Sequence, residues 1–272
     1  MIMKKFTTII SCAIALLTMT SCDWFKLDNL DGYDASVEGR IIDQGTNELV
    51  QMEQGANLSV YELYGVQYDH TNQQGEKGWD GATPISWAVK NNGTYVNKLT
   101  FAGDYEMETR NLNFLADRVS FQLQKGSNTV DFKVTPYVRI KNVQLSATSA
   151  NVITAKCDVE AGVPGTTIVA VELCVYPDRW VRHSLNKCQD DPKAIVKNPS
   201  SLTGISLEVD PQRIVVSNGT ERKVNADEFQ YNRPHYIRIA ALGRHSQKTG
   251  DAYNYSAVYK LENGTITEVT DW

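Results

Sequence analysis

The chain is short of the residues that usually mark chemistry. Histidine occurs only at His70, His183, His235 and His245. None of the four belongs to a His-Glu-x-x-His pair or stands beside a cysteine pair, so no metal centre is indicated. Gly-x-Ser-x-Gly is missing, which removes the usual nucleophile elbow, and no glycine-rich phosphate loop or other cofactor motif takes its place. No run of Lys and Arg occurs, and the net charge of −5 is acidic. Nucleic-acid binding needs cations against phosphates, so that class of partner is excluded. No apolar run approaches the roughly 20 residues of a membrane span. No long stretch keeps an apolar period of 3.6 residues, which leaves little room for helix. A glycosidase needs two carboxylates facing across a cleft; no pair among the 32 acidic residues is singled out by its spacing, and the chain reads as a non-enzyme.

What is present begins with an export leader. Residues 1–21 carry Lys4 and Lys5, then the apolar stretch from Phe6 to Leu17, then Thr20 and Ser21. Cys22 follows, in the place where a bacterial lipoprotein is cut and acylated, although Met19 stands where leucine is commonest. Residues 1–21 are therefore expected to be a signal peptide, and Cys22 a lipidated residue that ties the chain to a membrane through its acyl chains alone. Residues 22–34, aspartate-rich and without a usable period, read as a tether. Two readings of that tether stand side by side: a solvated linker, or a surface-export signal behind the lipidated cysteine.

From Ala35 onward the pattern changes to short alternating runs separated by Gly, Asn and Asp turns, the signature of an all-β chain. The length suits two consecutive β-sandwiches, 35–135 and 136–272, with Thr135-Pro136-Tyr137 between them. In the first, Val37, Gly39 and Ile41 open one strand. Val119, Phe121 and Leu123 face Val130, Phe132 and Val134 across turn chemistry at Lys125 to Asn128, which predicts a hairpin. In the second, strands are expected near Val138–Leu145, Val152–Val159, Ile168–Tyr176, Ile205–Val209, His235–Leu242 and Tyr253–Leu261.

Motifs add a resemblance to this reading. Val37-x-Gly39-x-Ile41-x-Asp43, followed by Asn92-Gly93-x-Tyr95 and Gly103-x-Tyr105, resembles the carboxypeptidase regulatory-like, transthyretin-type sandwich. His235 to Ala241 resembles the penultimate strand of a fibronectin type III sandwich, with Ile237, Ile239 and Ala241 inward. His235 replaces that family's tyrosine, and Cys157 or Val159 its tryptophan, so immunoglobulin-like is the broader label. The whole layout is similar to Bacteroidetes outer-membrane lipoproteins of unknown function, encoded beside starch-utilisation-system-like transporter and glycan-binding pairs. The residues that carry it include Leu27-Asp28-Asn29, Ala35 to Val50, Val134 to Tyr137 and Tyr253-Asn254-Tyr255-Ser256. The resemblance implies a surface-facing outer-membrane accessory in carbohydrate capture, with a polysaccharide or oligosaccharide and the transporter pair as partners.

Sugar binding on a sandwich rests on exposed aromatic faces with amides and carboxylates nearby. Two stretches offer this. Tyr64 to Trp87 departs from strand periodicity and carries Tyr64, Tyr68 and Trp79 among polar residues, while Trp87, followed by Ala88-Val89, reads as core. Tyr176-Pro177-Asp178-Arg179-Trp180 is the second; Trp180 either contacts ligand or covers the junction of the two halves. Among the body cysteines, Cys157 shares its alternation with Ile153, Ala155 and Val159 and is expected buried and free. Cys174 falls out of phase with Val171, Leu173 and Val175, on an outward side with Glu172, and is a candidate disulfide partner for Cys188, with about 3 kcal/mol of loop-closure stabilisation. The alternative to glycan capture is a structural or adhesin-type subunit that contacts other proteins.

Overall fold

A computed structural model describes residues 32–53, 55–63, 84–109, 112–115, 117–248 and 250–272. The leader, Cys22, Tyr64, Tyr68 and Trp79 lie outside the described residues. Ala35–Trp272 forms one compact unit, and its regular secondary structure is almost entirely strand. The first part holds β1 (Ala35–Asp43), β2 (Asn57–Leu63), β3 (Ile85–Ala88), β4 (Thr94–Thr100), β5 (Gly103–Glu108), β6 (Arg118–Leu123), β7 (Gly126–Thr129) and β8 (Phe132–Val134). One sheet has the order β4-β1-β7, with β8 also on β1; the other has the order β3-β2-β5-β6. Their inner faces meet in one core of Val37, Ile41, Leu58, Val60, Trp87, Tyr95, Tyr105, Met107 and Phe132. Trp87 is thus a core residue, as its apolar neighbours suggested.

Two of the motif glycines, Gly39 and Gly93, have steric reasons, whereas Gly103 has open space beside it. A Cβ on Gly39 would lie 1.8 Å from the Val130 carbonyl oxygen and 2.6 Å from the Tyr95 hydroxyl, so only glycine lets these groups cross β1. The Tyr95 hydroxyl donates to that same carbonyl. Gly93 combines φ +79° with a would-be Cβ 2.3 Å from the Val50 carbonyl oxygen. Both positions carry the close approaches that hold the two ends of the first motif together.

The expected hairpin is not formed. β6 pairs antiparallel with β5, whereas β7 and β8 run parallel to β1 in the opposite sheet. The chain crosses between sheets at residues 124–125, so Phe121 and Phe132 meet edge-on across the core at 5.7 Å instead of as ladder neighbours.

The second part holds β9 (Val138–Ala147), β10 (Ile153–Ala161), β11 (Thr167–Tyr176), β12 (Ile195–Lys197), β13 (Ile205–Val209), a hairpin of β14 (Ile214–Ser217) and β15 (Thr220–Lys223), a one-turn helix α1 (Ala226–Phe229), β16 (His235–Arg244), β17 (Ala252–Tyr255), β18 (Tyr259–Glu262) and β19 (Thr265–Glu268). The sheet β13-β10-β9 faces the sheet β12-β11-β16-β18-β19, with β17 on β16. Ile153, Ala155, Cys157, Leu173, Val175, Ile237, Ile239 and Ala241 fill the space between them. The inward alternation of β16 is as its sequence suggested, and Cys157 is buried and free.

The outer faces of β11 and β16 are buried as well. Cys174 and Ala240 pack with Val181, Tyr255 and Val258 in a separate cluster on that side. Cys174 therefore points away from the main core but is not exposed. Cys188 belongs to the main core with Leu173 and Val175, on the other side of β11. The sheet separates the two thiols, and both are free, which corrects the expected Cys174–Cys188 disulfide.

Part of what covers this face comes from the first part of the chain. Arg238, fully buried on β16, donates from Nη1 to the Met52 carbonyl at 2.7 Å, from Nη2 to the Asn91 carbonyl at 3.4 Å and from Nε to the Ser256 carbonyl at 2.8 Å. Its guanidinium also lies 4.3 Å from the centre of the Tyr255 ring. A buried cation is costly unless its donors are satisfied; here three carbonyls and one aromatic face satisfy it. Burial nevertheless pushes its pKa down to about 10. The Tyr255 hydroxyl then donates to Glu53 at 3.0 Å. At the other side of the seam, motif residue Asp43 receives Arg139 Nη2 at 2.9 Å and Nε at 2.5 Å, and Asn254 joins Val138 N–H at 2.9 Å to the Asn113 carbonyl at 2.8 Å.

Candidate functional site

The aromatic residues of the second sandwich gather where β11 leaves its sheet. Tyr176, the last residue of β11, stands opposite Tyr236 on β16, and both pack half-buried on the outer cluster beside Trp272. The loop after Tyr176 turns back at Asp178, whose carboxylate accepts the Trp180 N–H at 3.2 Å, a local bond typical of aspartate in turns. This turn sets Trp180 at 6.0 Å from Trp272, tilted by 53°. Arg179 lies against both indoles, at 5.3 Å from Trp180 and 5.6 Å from Trp272, and donates to the Asp271 carbonyl at 3.0 Å. Trp272 is held by its own indole N–H on the Val269 carbonyl at 3.0 Å.

The first sandwich reaches this cluster too. Lys90 Nζ donates to the main-chain oxygen of Trp272 at 2.9 Å, and Asn91 Nδ2 to the Arg179 carbonyl at 3.5 Å. Trp180 thus sits at the junction of the two halves, and part of its surface remains exposed. The arrangement is a ledge of half-exposed rings edged by Arg179, Lys260 and Asp271. Such a surface can stack on the C–H face of a sugar while charged and amide groups take its hydroxyls. Among the described residues it brings together Tyr176 and Trp180, with Tyr236 and Trp272 as two members that the sequence did not single out. Their signal was weak: Tyr236 sits in a strand that reads as core, and Trp272 stands in a short tail beyond β19.

A second polar cluster lies on the same outer face. Glu172, buried beside Cys174, receives His183 Nδ1 at 2.6 Å and the Cys174 thiol at 3.4 Å, and the His183 ring stacks on Tyr253 at 4.1 Å. The hydrogen bond to Glu172 holds the His183 imidazole above its usual range despite partial burial. Burial, with Glu172 beside it, pushes the Cys174 thiol well above its usual range; it is no thiolate nucleophile. Among the described residues no group of three or more His, Cys, Asp or Glu could hold a metal ion.

All-β architecture, two facing pairs of sheets and a half-exposed aromatic ledge define the class of this chain. Residues 35–135 match a family described as protein of unknown function (DUF3823), N-terminal domain. The chain is similar to the crystal structure of a putative carbohydrate binding protein from Bacteroides uniformis, at 28% identity and a TM-score of 0.67 over 85% of this chain and 100% of that one. DUF3823 family proteins from Parabacteroides merdae (22% identity, TM-score 0.60, 85% and 100% covered) and Bacteroides ovatus (19%, 0.58, 84% and 99%) share the fold. No curated protein matches the chain.

Proposed function

We propose that this chain is a non-catalytic accessory lipoprotein of glycan capture and uptake, anchored in the outer membrane through Cys22, facing the cell exterior, and binding carbohydrate or docking on a glycan transporter complex. The observation that carries the binding half is the Trp180–Arg179–Trp272 cluster with Tyr176 and Tyr236 behind it. The likeness at 28% identity to a putative carbohydrate binding protein supports the same half. Aromatic rings held at fixed tilt lose little side-chain entropy when a sugar stacks on them. The anchor rests on the leader and Cys22, and the transporter rests on the family resemblance.

The test is affinity electrophoresis of the full chain in gels containing polysaccharides. Retardation by at least one glycan is expected, with Trp180→Ala weakening it about tenfold, the loss that goes with one stacking contact. Retardation by none would contradict the reading. Metabolic labelling with palmitate, lost in Cys22→Ala, tests the anchor. One observation favours a protein partner as the second reading: among the described residues β4 is an edge of its sheet, and Val96 and Leu99 on it are exposed. Exposed apolar groups on an edge strand invite pairing with another chain; a pull-down that depends on Leu99 would favour it.

A further inference from the structure

A groove of ≈ 590 Å³ opens at one end of the second sandwich, built from three different loops. Asn151 comes from the β9–β10 turn, Gln230 to Arg233 from the loop between α1 and β16, and Asn263 from the β18–β19 turn. Its volume falls within the ~300–1,000 Å³ of small-ligand sites. Turn geometry accounts for Asn151 and Asn263, whose φ values of 58° and 51° are ones asparagine tolerates. It does not account for Tyr231, an aromatic residue 59% exposed at the rim.

Tyr231 is held in place. Arg233 lies 5.4 Å from its ring centre, and Arg233 is itself paired with the buried Glu228 at 3.6 Å. Below the rim, His235 is buried on Phe229 at 4.6 Å and bonds through Nε2 with the Glu228 carbonyl at 3.1 Å. The rim therefore stands on a packed floor. Among the described residues no carboxylate lines the groove, and the one cation in it, Arg233, is met from inside by Glu228. What remains to face a ligand is an aromatic ring and several amides. An amide both donates and accepts, as a sugar hydroxyl does.

We infer that this groove is a binding site for a neutral, hydroxyl-rich oligosaccharide, with Tyr231 as the stacking face and Asn232, Gln230, Asn151 and Asn263 as partners of the hydroxyls. The inference rests on the glycan-binding reading above and adds to it a second contact and a substrate class. An acidic glycan would need an uncompensated cation that the groove does not offer, so uronate and sulfated chains are discriminated against.

The full chain is titrated calorimetrically with oligosaccharides cut from neutral polysaccharides (galactomannan, xyloglucan, laminarin) and with oligogalacturonate. At least one neutral probe is expected to bind, and oligogalacturonate to bind at least about tenfold more weakly. Tyr231→Ala should weaken the neutral probe about tenfold, Tyr231→Phe should keep its affinity, and Asn232→Ala should weaken it without moving Tm. Unchanged affinity in both Tyr231→Ala and Asn232→Ala, with loss in Trp180→Ala, overturns this groove and leaves the ledge. Preference for oligogalacturonate overturns the substrate class. Binding to no probe overturns both readings together.

Discussion

The second sandwich contains the same pair of groups twice, in opposite settings. Arg238 lies 4.3 Å over Tyr255, and Arg233 lies 5.4 Å over Tyr231. The first pair is sealed: Arg238 is fully buried, and its donors end on carbonyls from both sandwiches. The second is open, with Tyr231 exposed at a groove mouth. Chemistry alone does not separate them. Burial does: a sealed cation–aromatic pair joins two parts of one molecule, and an open one is left to meet another.

The largest expected effect comes from breaking the sealed pair. Arg238→Ala leaves the buried carbonyls of Met52 and Ser256 without their donor, each costing about 1–3 kcal/mol, while the Asn91 carbonyl keeps the Met52 N–H. The sum exceeds what one surface change removes; the urea midpoint should fall steeply, and a single transition should separate into two. Arg233→Lys in the open pair keeps a cation beside the buried Glu228 and should lower the midpoint far less, by the equivalent of about 0.5–1 kcal/mol of stability. If the two substitutions cost alike, the distinction between the pairs fails.

Next in size is Asp43, the motif residue that became a seam contact. Burial raises its carboxyl pKa, but Arg139 and the Gly45 N–H outweigh that and hold it below the usual range. A depressed pKa in the folded state means stabilisation that is present above the ordinary value of about 3.9 and lost as pH falls through the folded value. Asp43→Asn should therefore cost about 1–3 kcal/mol at pH 6, and the gap from wild type should close as pH drops below about 4. A gap that stays constant across that range would remove Arg139 as its cause.

How much of this was legible in the sequence follows from what alternation can encode. Period-two patterning gives the face of a residue, so Ile237, Ile239 and Ala241 were placed inward, and Trp87 and Cys157 in the core. It does not give the strand's partner. Local turn chemistry makes Phe121 and Phe132 look like hairpin neighbours, whereas the pairing of β7 and β8 with β1 spans the whole first sandwich. Alternation also cannot say whether an outward face is covered. Cys174 reads as outward, which it is, but Tyr255 and Val258 close over it, as the loops at Met52 and Asn91 do over its neighbour Arg238. Of the candidate binding residues, Tyr176 and Trp180 share one ledge. Tyr231 was written in the run Phe229-Gln230-Tyr231-Asn232-Arg233-Pro234, an aromatic among amides ahead of a proline, and only the two other loops reveal what it faces.

A smaller effect tests the thiols. With Cys174 and Cys188 on opposite sides of β11, the body of the chain should titrate three free thiols when denatured without reductant and almost none when native, because burial raises all three pKa values. Two missing thiols would restore the disulfide.

The most direct test of the account is a calorimetric unfolding scan of the intact chain, alone and with each neutral glycan in excess. The account predicts one cooperative transition, because the sealed seam joins the sandwiches, and a rise in Tm with at least one glycan, because ligand that binds only the folded state stabilises it. Two separate transitions in the wild-type chain, or a Tm that no glycan moves, would contradict it.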